Sequence, residues 1–156
     1  MRRDYFELDV ENVDWVDEDG DPEKPNVTID FTGAAAELEG RLTDRDGERL
    51  DASETDATFR LTDDVDDPDA GGVVAVTNRI TGEFVLELNQ DAADVLQFVR
   101  AARRYGEATG DDGQYRVEIR VDGEQLVVYE KSTFLVYSED GDLLRSHSLI
   151  PSGIEL

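Results

Sequence analysis

Apolar residues recur at every second position over most of this chain, the spacing of strands that bury one face. From Tyr5 to Val10, Phe6, Leu8 and Val10 alternate with Glu7 and Asp9; further on, Val27, Ile29 and Phe31 alternate with Thr28 and Asp30. Ala36, Leu38, Gly40 and Leu42 also fit a strand, although AAAELEGRL could open a short helix, and Gly40 tips the balance slightly toward the strand. Weaker strand character returns at Ala57, Phe59 and Leu61. VVAVT (73–77) and EFVLEL (83–88), joined by NRITG, predict a hairpin whose loop ends in Gly82.

The pattern then changes period. Ala92, Val95, Leu96, Val99 and Ala102 recur at spacings of three and four, predicting one helix capped by Asn89 or Asp91 and ended by Gly106 or Gly110. Arg100, Arg103 and Arg104 are placed in its last turns, where cations suit the negative end of the helix dipole. After a TGDDG turn, Tyr115, Val117, Ile119 and Val121 resume the strand period, and Asp122-Gly123 is a strong hairpin signal leading into QLVVYE. TFLVY (133–137), an Asp140-Gly141 turn and LLRSHSLI (143–150) complete the series. Leu126 to Tyr129 and Phe134 to Tyr137 are apolar on both faces, which predicts strands inside a sheet covered on each side.

Nine or ten short strands and one helix predict a β-rich α+β fold, an antiparallel meander or sandwich with the helix packed on the sheet. Alternatively, the helix crosses over between Leu88 and Tyr115 and makes those two strands parallel in one sheet. With 156 residues and no Pro- or Ser-rich linker, a single domain over 1–156 is expected.

Composition adds an environment. Asp and Glu number 39 against 15 Lys and Arg, a net charge of -24 with a sequence pI near 4.1. A chain of this mass exposes roughly 7,900 Å² when folded, so each net charge has only ~330 Å². Such density repels itself. Screening extends about 10 Å at ~0.1 M salt and about 3 Å at ~1 M, so molar salt removes most of the repulsion. Two Lys against thirteen Arg, 23 Asp against 16 Glu, and acids spread along the chain agree with a salt-adapted cytoplasm. The charge also disfavours nucleic acid as a partner. No apolar run reaches 18 residues, so no membrane span is expected, and the start lacks a signal-peptide stretch.

Little catalytic chemistry is legible. There is no cysteine and one histidine, His147, read as a strand residue whose neighbours Ser146 and Ser148 point to opposite faces from it. One imidazole without thiolates makes zinc a poor fit. DEDGDPEKPN resembles part of a calcium loop, but Trp15 would hold the first ligand position and Asn26 the twelfth. It reads as an acidic turn, and TDDVDDPDAGG (62–72) as an exposed loop. No phosphate-binding GxxxxGKS/T or post-strand GxGxxG occurs. No cofactor and no metal is expected.

Arg100, Arg103 and Arg104 on the helix, with Arg116 and Arg120 on the next strand, could form a basic island for a partner's acidic face or another anion. The competing reading, favoured because salt screens the attraction of exposed charges, is that they complement the helix dipole and pair with Glu107, Glu118 and nearby Asp residues. At the other end, Leu149, Ile150, Ile154 and Leu156 are expected to dock back on the sheet. MRRDYFELDVENVDWVDEDG, VAVTNRITGEFVLELN and YEKSTFLVYSEDGDLLRSHSLIPSGIEL together resemble a family of small acidic haloarchaeal proteins known only as a domain of unknown function. That resemblance implies a halophilic cytoplasm and supplies no activity, cofactor or site residue. The leading expectation is a non-enzymatic interaction module contacting a protein through a sheet edge or the Arg-bearing helix face. The alternative is a small-molecule-binding protein or hydrolase with a carboxylate-only site. A pocket of converging carboxylates would favour the second, an exposed edge strand the first.

Overall fold

A computed structural model describes residues 3–111 and 114–150. It contains eight strands rather than nine or ten among those residues. β1 (Phe6–Glu11), β2 (Asn26–Phe31), β6 (Tyr115–Val121) and β7 (Glu124–Lys131) form one sheet in the order β1-β2-β6-β7. β3 (Thr55–Leu61), β4 (Gly71–Asn78), β5 (Phe84–Asp91) and β8 (Leu135–Tyr137) form a second, ordered β5-β4-β3-β8. Both sheets are mixed: β2 runs parallel to β6 and β3 to β8, and every other pair is antiparallel. Helix α1 (Ala35–Arg41) follows β2, and α2 (Ala92–Thr109) lies between β5 and β6. The fold is therefore α+β and strand-rich, with an antiparallel meander confined to β3, β4 and β5.

The period of two carries the first sheet. Phe6, Val27, Ile29, Phe31, Tyr115, Val117, Ile119 and Tyr129 are buried on one face. Pairing stacks the opposite face in rows: Glu7, Asp30, Arg120 and Gln125; Asp9, Thr28, Glu118 and Val128; Glu11, Asn26, Arg116 and Glu130. The second sheet adds Ala57, Phe59, Leu61, Val74, Val76, Leu86, Leu88 and Val136 to the same core. Gly72 is more than the loop punctuation it resembles. A Cβ there would lie 2.4 Å from Arg60 O and 2.6 Å from Phe59 Cζ, so only glycine lets β4 approach β3 this closely.

Helix α2 connects the two sheets. It leaves β5 in the second and delivers the chain to β6 in the first, so β5 and β6 are not parallel neighbours in one sheet. Its buried stripe is Ala92, Val95, Phe98, Val99 and Ala102, with Ala101 packed beside Val13, Trp15 and Val16. Leu96, expected in the stripe, is only half-buried. Phe98 is the anchor. Its ring meets Tyr115 edge-on at 5.0 Å and Phe134 at 5.5 Å, tying the helix to β6 and to the segment entering β8. Gly110 ends the helix in the left-handed region at φ 70°, its N–H returning to Gly106 O. The last turn contains no basic residue, so the three arginines lie further upstream than expected.

The segment 34–43 is built around helix α1 (Ala35–Arg41), against the slight preference for a strand. Leu38 and Leu42 are both fully buried, and a spacing of four suits a helix turn and a strand alike. Residues 143–150 are not a strand: Leu143 and Leu149 make isolated bridges to Tyr137 and Phe134 around a 3₁₀ turn at Arg145–His147. That excursion covers the outer side of β8. Contrary to expectation, β7 and β8 are both edge strands. The apolar run of β7 is not doubly covered, because Leu126 and Val127 are half-buried and Val128 is exposed. Leu149 docks on Phe134 as expected, while Ile154 and Leu156 lie outside the described residues.

Candidate functional site

The five arginines divide between two sides of the first sheet. Phe98 of α2 packs on Tyr115 from the core side, whereas the next residue, Arg116, and Arg120 project from the opposite face. Arg116 Nε donates to Glu130 Oε1 at 2.9 Å and Arg120 Nη2 to Glu118 Oε2 at 2.6 Å. On the helix, Arg103 Nη2 donates to the carbonyls of Ser146 (3.2 Å) and Ser148 (2.6 Å), and Arg104 Nη1 to Val16 O at 3.0 Å. These two act as clamps, fixing α2 to the segment after β8 and to the turn after β1. Arg100 is exposed and lines a groove with Leu96, Ser146 and His147. The arginines are not gathered into one basic island.

β7 presents an open backbone edge. Arg116 donates its N–H to Pro25 O on the β2 side, at 3.0 Å, and this direction alternates along a strand. Val117 and Ile119 therefore turn toward their β7 partners Tyr129 and Val127. On β7 the intervening residues Val128 and Glu130 turn their N–H and C=O groups away from the sheet. No backbone partner meets them among the described residues. β1, the other edge of this sheet, bears Glu7, Asp9 and Glu11 on its outer face, whereas β7 presents Val128 at the corresponding position, 37% exposed. Charge blunts one edge and leaves the other more open. Two further exposed apolar side chains, Ile80 and Phe84, stand on the β4–β5 hairpin.

Beneath β7 lies a cleft of about 270 Å³ lined by Ala52, Asp56, Arg79, Lys131, Ser132 and Thr133, among others. Lys131 Nζ donates to Ala52 O (2.8 Å), Thr55 O (2.9 Å) and Thr55 Oγ1 (3.2 Å). All three acceptors are neutral oxygens. Burial pushes the Lys131 ammonium down to about 8, with Asp56 opposing and Arg79 reinforcing the shift. The chain's other lysine behaves in the opposite way. Lys24 bridges Asp111 at 3.1 Å and Glu130 at 3.0 Å, and those contacts outweigh its burial and hold its pKa above the usual value. Sequence reasoning missed Lys131. Its surroundings come from residues 76 and 79 positions away, and no local motif marks them.

Two phenols share this region. Tyr115 is fully buried and donates to Thr133 O at 2.6 Å; burial first, and Asp56 second, push its pKa well up. Tyr129 donates to Leu50 O at 2.8 Å and is pushed up to about 12, chiefly by burial. The signs give a profile. Between about 8 and about 10.4 an unfolded chain holds the Lys131 proton that the folded chain has released, so stability rises with pH. Above about 10 the unfolded chain loses tyrosine protons that the folded chain keeps, so stability falls. The thermal midpoint at fixed high salt should pass through a maximum near pH 10, and Lys131→Met should abolish the rise while leaving the fall. A midpoint falling steadily from pH 8 in the parent protein would contradict this.

His147 sits in the 3₁₀ turn, not on a strand, and the adjacent Ser148 is buried. Ser148 Oγ donates to Leu144 O at 2.8 Å and accepts from Val136 N at 2.9 Å, which occupies it structurally. In the 62–72 loop, Asp63, Asp64 and Asp67 accept hydrogen bonds from the backbone of Gly71, Asp66 and Asp69. These bonds shape the loop and leave its carboxylates apart; among the described residues no three His, Cys, Asp or Glu side chains are grouped to hold a metal ion. Among the described residues no helix is long and apolar enough to cross a membrane.

No curated protein and no solved structure matches the chain. The model of the family of unknown function DUF5793 matches it from residue 1 to 156, and the chain belongs to that family.

Proposed function

We propose that this protein is a non-enzymatic interaction module of a salt-adapted, haloarchaeal-type cytoplasm, and that it captures an extended segment of a partner protein as an added strand on β7. The observation that carries the reading is the open outward edge at Val128 and Glu130, beside an exposed valine in a surface otherwise dense with carboxylates. At molar salt, charge–charge attraction reaches only about 3 Å beyond contact. Recognition there favours backbone hydrogen bonds and apolar contact, which an edge strand supplies together. Arg116, engaged by Glu130 on β7, and Arg120, engaged by Glu118 of its own strand, set the polarity of the neighbouring face. They do not act as a free anion site.

Val128→Pro tests this. Proline removes the outward N–H without touching the ladder to β6, and an edge position tolerates it. Partner recovery from a lysate kept in about 2 M KCl should fall at least ~10-fold for the variant, the equivalent of ~1.4 kcal/mol. Arg100→Glu with Arg116→Glu should leave recovery unchanged. Equal recovery by parent and Val128→Pro proteins, with the variant's thermal midpoint preserved, would overturn the strand-addition reading.

A further inference from the structure

The cleft below β7 carries chemistry that strand addition does not use. Of the two lysines in the chain, Lys24 is held by two carboxylates and Lys131 by none. The carboxylates beside Lys131 are already engaged: Asp56 Oδ1 takes both Nε and Nη2 of Arg79, and Glu130 takes Lys24 and Arg116. Arg79 Nη1 has no partner among the described residues, and that side chain is 55% exposed at the cleft. Ser132 and Thr133 add hydroxyl groups to the lining. An amine with no carboxylate among its hydrogen-bond partners, a guanidinium with a free N–H and the residues Ser132 and Thr133 thus line one opening, together with Asp56 and Glu130, whose carboxylates are engaged by other cations. At about 270 Å³ the space lies just below the range of drug-sized sites, which restricts it to a small ligand.

We propose that this cleft binds a small carbonyl compound bearing a carboxylate, with Lys131 forming a reversible imine to its carbonyl carbon and Arg79 receiving its carboxylate. In the step, the Nζ lone pair of the neutral amine adds to the carbonyl carbon to give a carbinolamine. The carbinolamine then expels water, which takes the carbonyl oxygen and both amine hydrogens and leaves a C=N bond. No oxidant or reductant is involved. Burial keeps a usable fraction of Lys131 neutral near pH 7, roughly a tenth, whereas Lys24 remains an ammonium. Ala52 lines the cleft, where water replaces the amine as donor to its carbonyl. The linkage hydrolyses when the ligand leaves, so the site captures a ligand without turning it over.

The test uses the intact protein in about 2 M KCl at about pH 7.5, with glyoxylate as probe, cyanoborohydride to trap the imine and peptide mass spectrometry to place it. Carboxymethylation at Lys131 should exceed that at Lys24 by more than ~10-fold, because the neutral amine is the nucleophile. Propionaldehyde, which lacks the carboxylate, should label Lys131 several-fold more slowly than glyoxylate. Arg79→Gln, with its thermal midpoint recorded to confirm folding, should slow both probes, because Arg79 helps to hold the Lys131 pKa down, but should slow glyoxylate more and so narrow that gap. Labelling of Lys24 as fast as Lys131, or none at Lys131, would overturn the imine. Glyoxylate and propionaldehyde reacting alike in the parent protein would overturn the carboxylate preference. Because every arm leaves the β7 edge intact, failure here is separate from failure of strand addition.

Discussion

Transferred from about 2 M to about 0.1 M KCl, the protein is expected to lose ~10 °C or more of its thermal midpoint, and at lower salt its cooperative transition. The fold places like charges at short, fixed spacings. Glu7, Asp9 and Glu11 share the outer face of β1, two residues apart, which is about 6.8 Å along a strand. Asp30 adjoins Glu7 on the neighbouring strand. Five Asp crowd the loop from 63 to 69. Each such pair repels by about 0.6 kcal/mol in water before screening. With a screening length near 10 Å these spacings are felt, and with one near 3 Å they are not. A handful of pairs is enough against a total stability of ~5–15 kcal/mol. Glu7→Gln, Asp9→Asn and Glu11→Gln combined should flatten the salt dependence, a response that a general salting-out effect would not show. Equal midpoints in the two salts would remove the basis for reading the charge as an adaptation to brine.

The same local physics decided which parts of the fold were legible. Strands β1, β2 and β6 could be read because each buries one face, so burial imprints a period of two directly on the sequence. The Asp122-Gly123 turn could be read because both residues adopt positive φ, 49° and 83°, the requirement that makes this dipeptide a hairpin signal. Pairing was less accessible. Nothing in Val27, Ile29 and Phe31 says that their parallel neighbours are Val117, Ile119 and Val121, some ninety residues on. Helix α1 was ambiguous because Leu38 and Leu42, four apart, satisfy both periods. The apolar run of β7 was misread as covered because Tyr129 and Val127 reach inward while Val128 stays out at an edge. The arginines were legible as residues but not as a site: two of them are clamps on backbone carbonyls of distant turns. Lys131 depends wholly on such distant contacts, and was invisible for that reason.

Phe98 gives the sharpest contrast between pattern and packing. The apolar periodicity placed Leu96 in the stripe and passed over Phe98, whereas the structure leaves Leu96 half-buried and Phe98 only 3% exposed. Phe98 also borders an apolar space of about 30 Å³ between the sheets, shared with Val27, Val74, Val95 and Val117. Truncating the ring would enlarge that space, and the strands around it are held by their ladders and cannot collapse to fill it. Phe98→Ala should therefore cost ~3–5 kcal/mol, including the edge-on contacts to Tyr115 and Phe134. At this chain length that corresponds to a fall of ~6–20 °C in the midpoint. Leu96→Ala, by the same measurement in high salt, should cost less than half as much. If Leu96→Ala proved the more damaging, the helix would have to be rotated about its axis. Tyr115 would then lose its edge-on contact with the helix, and the joint between the two sheets would rest on residues other than those described.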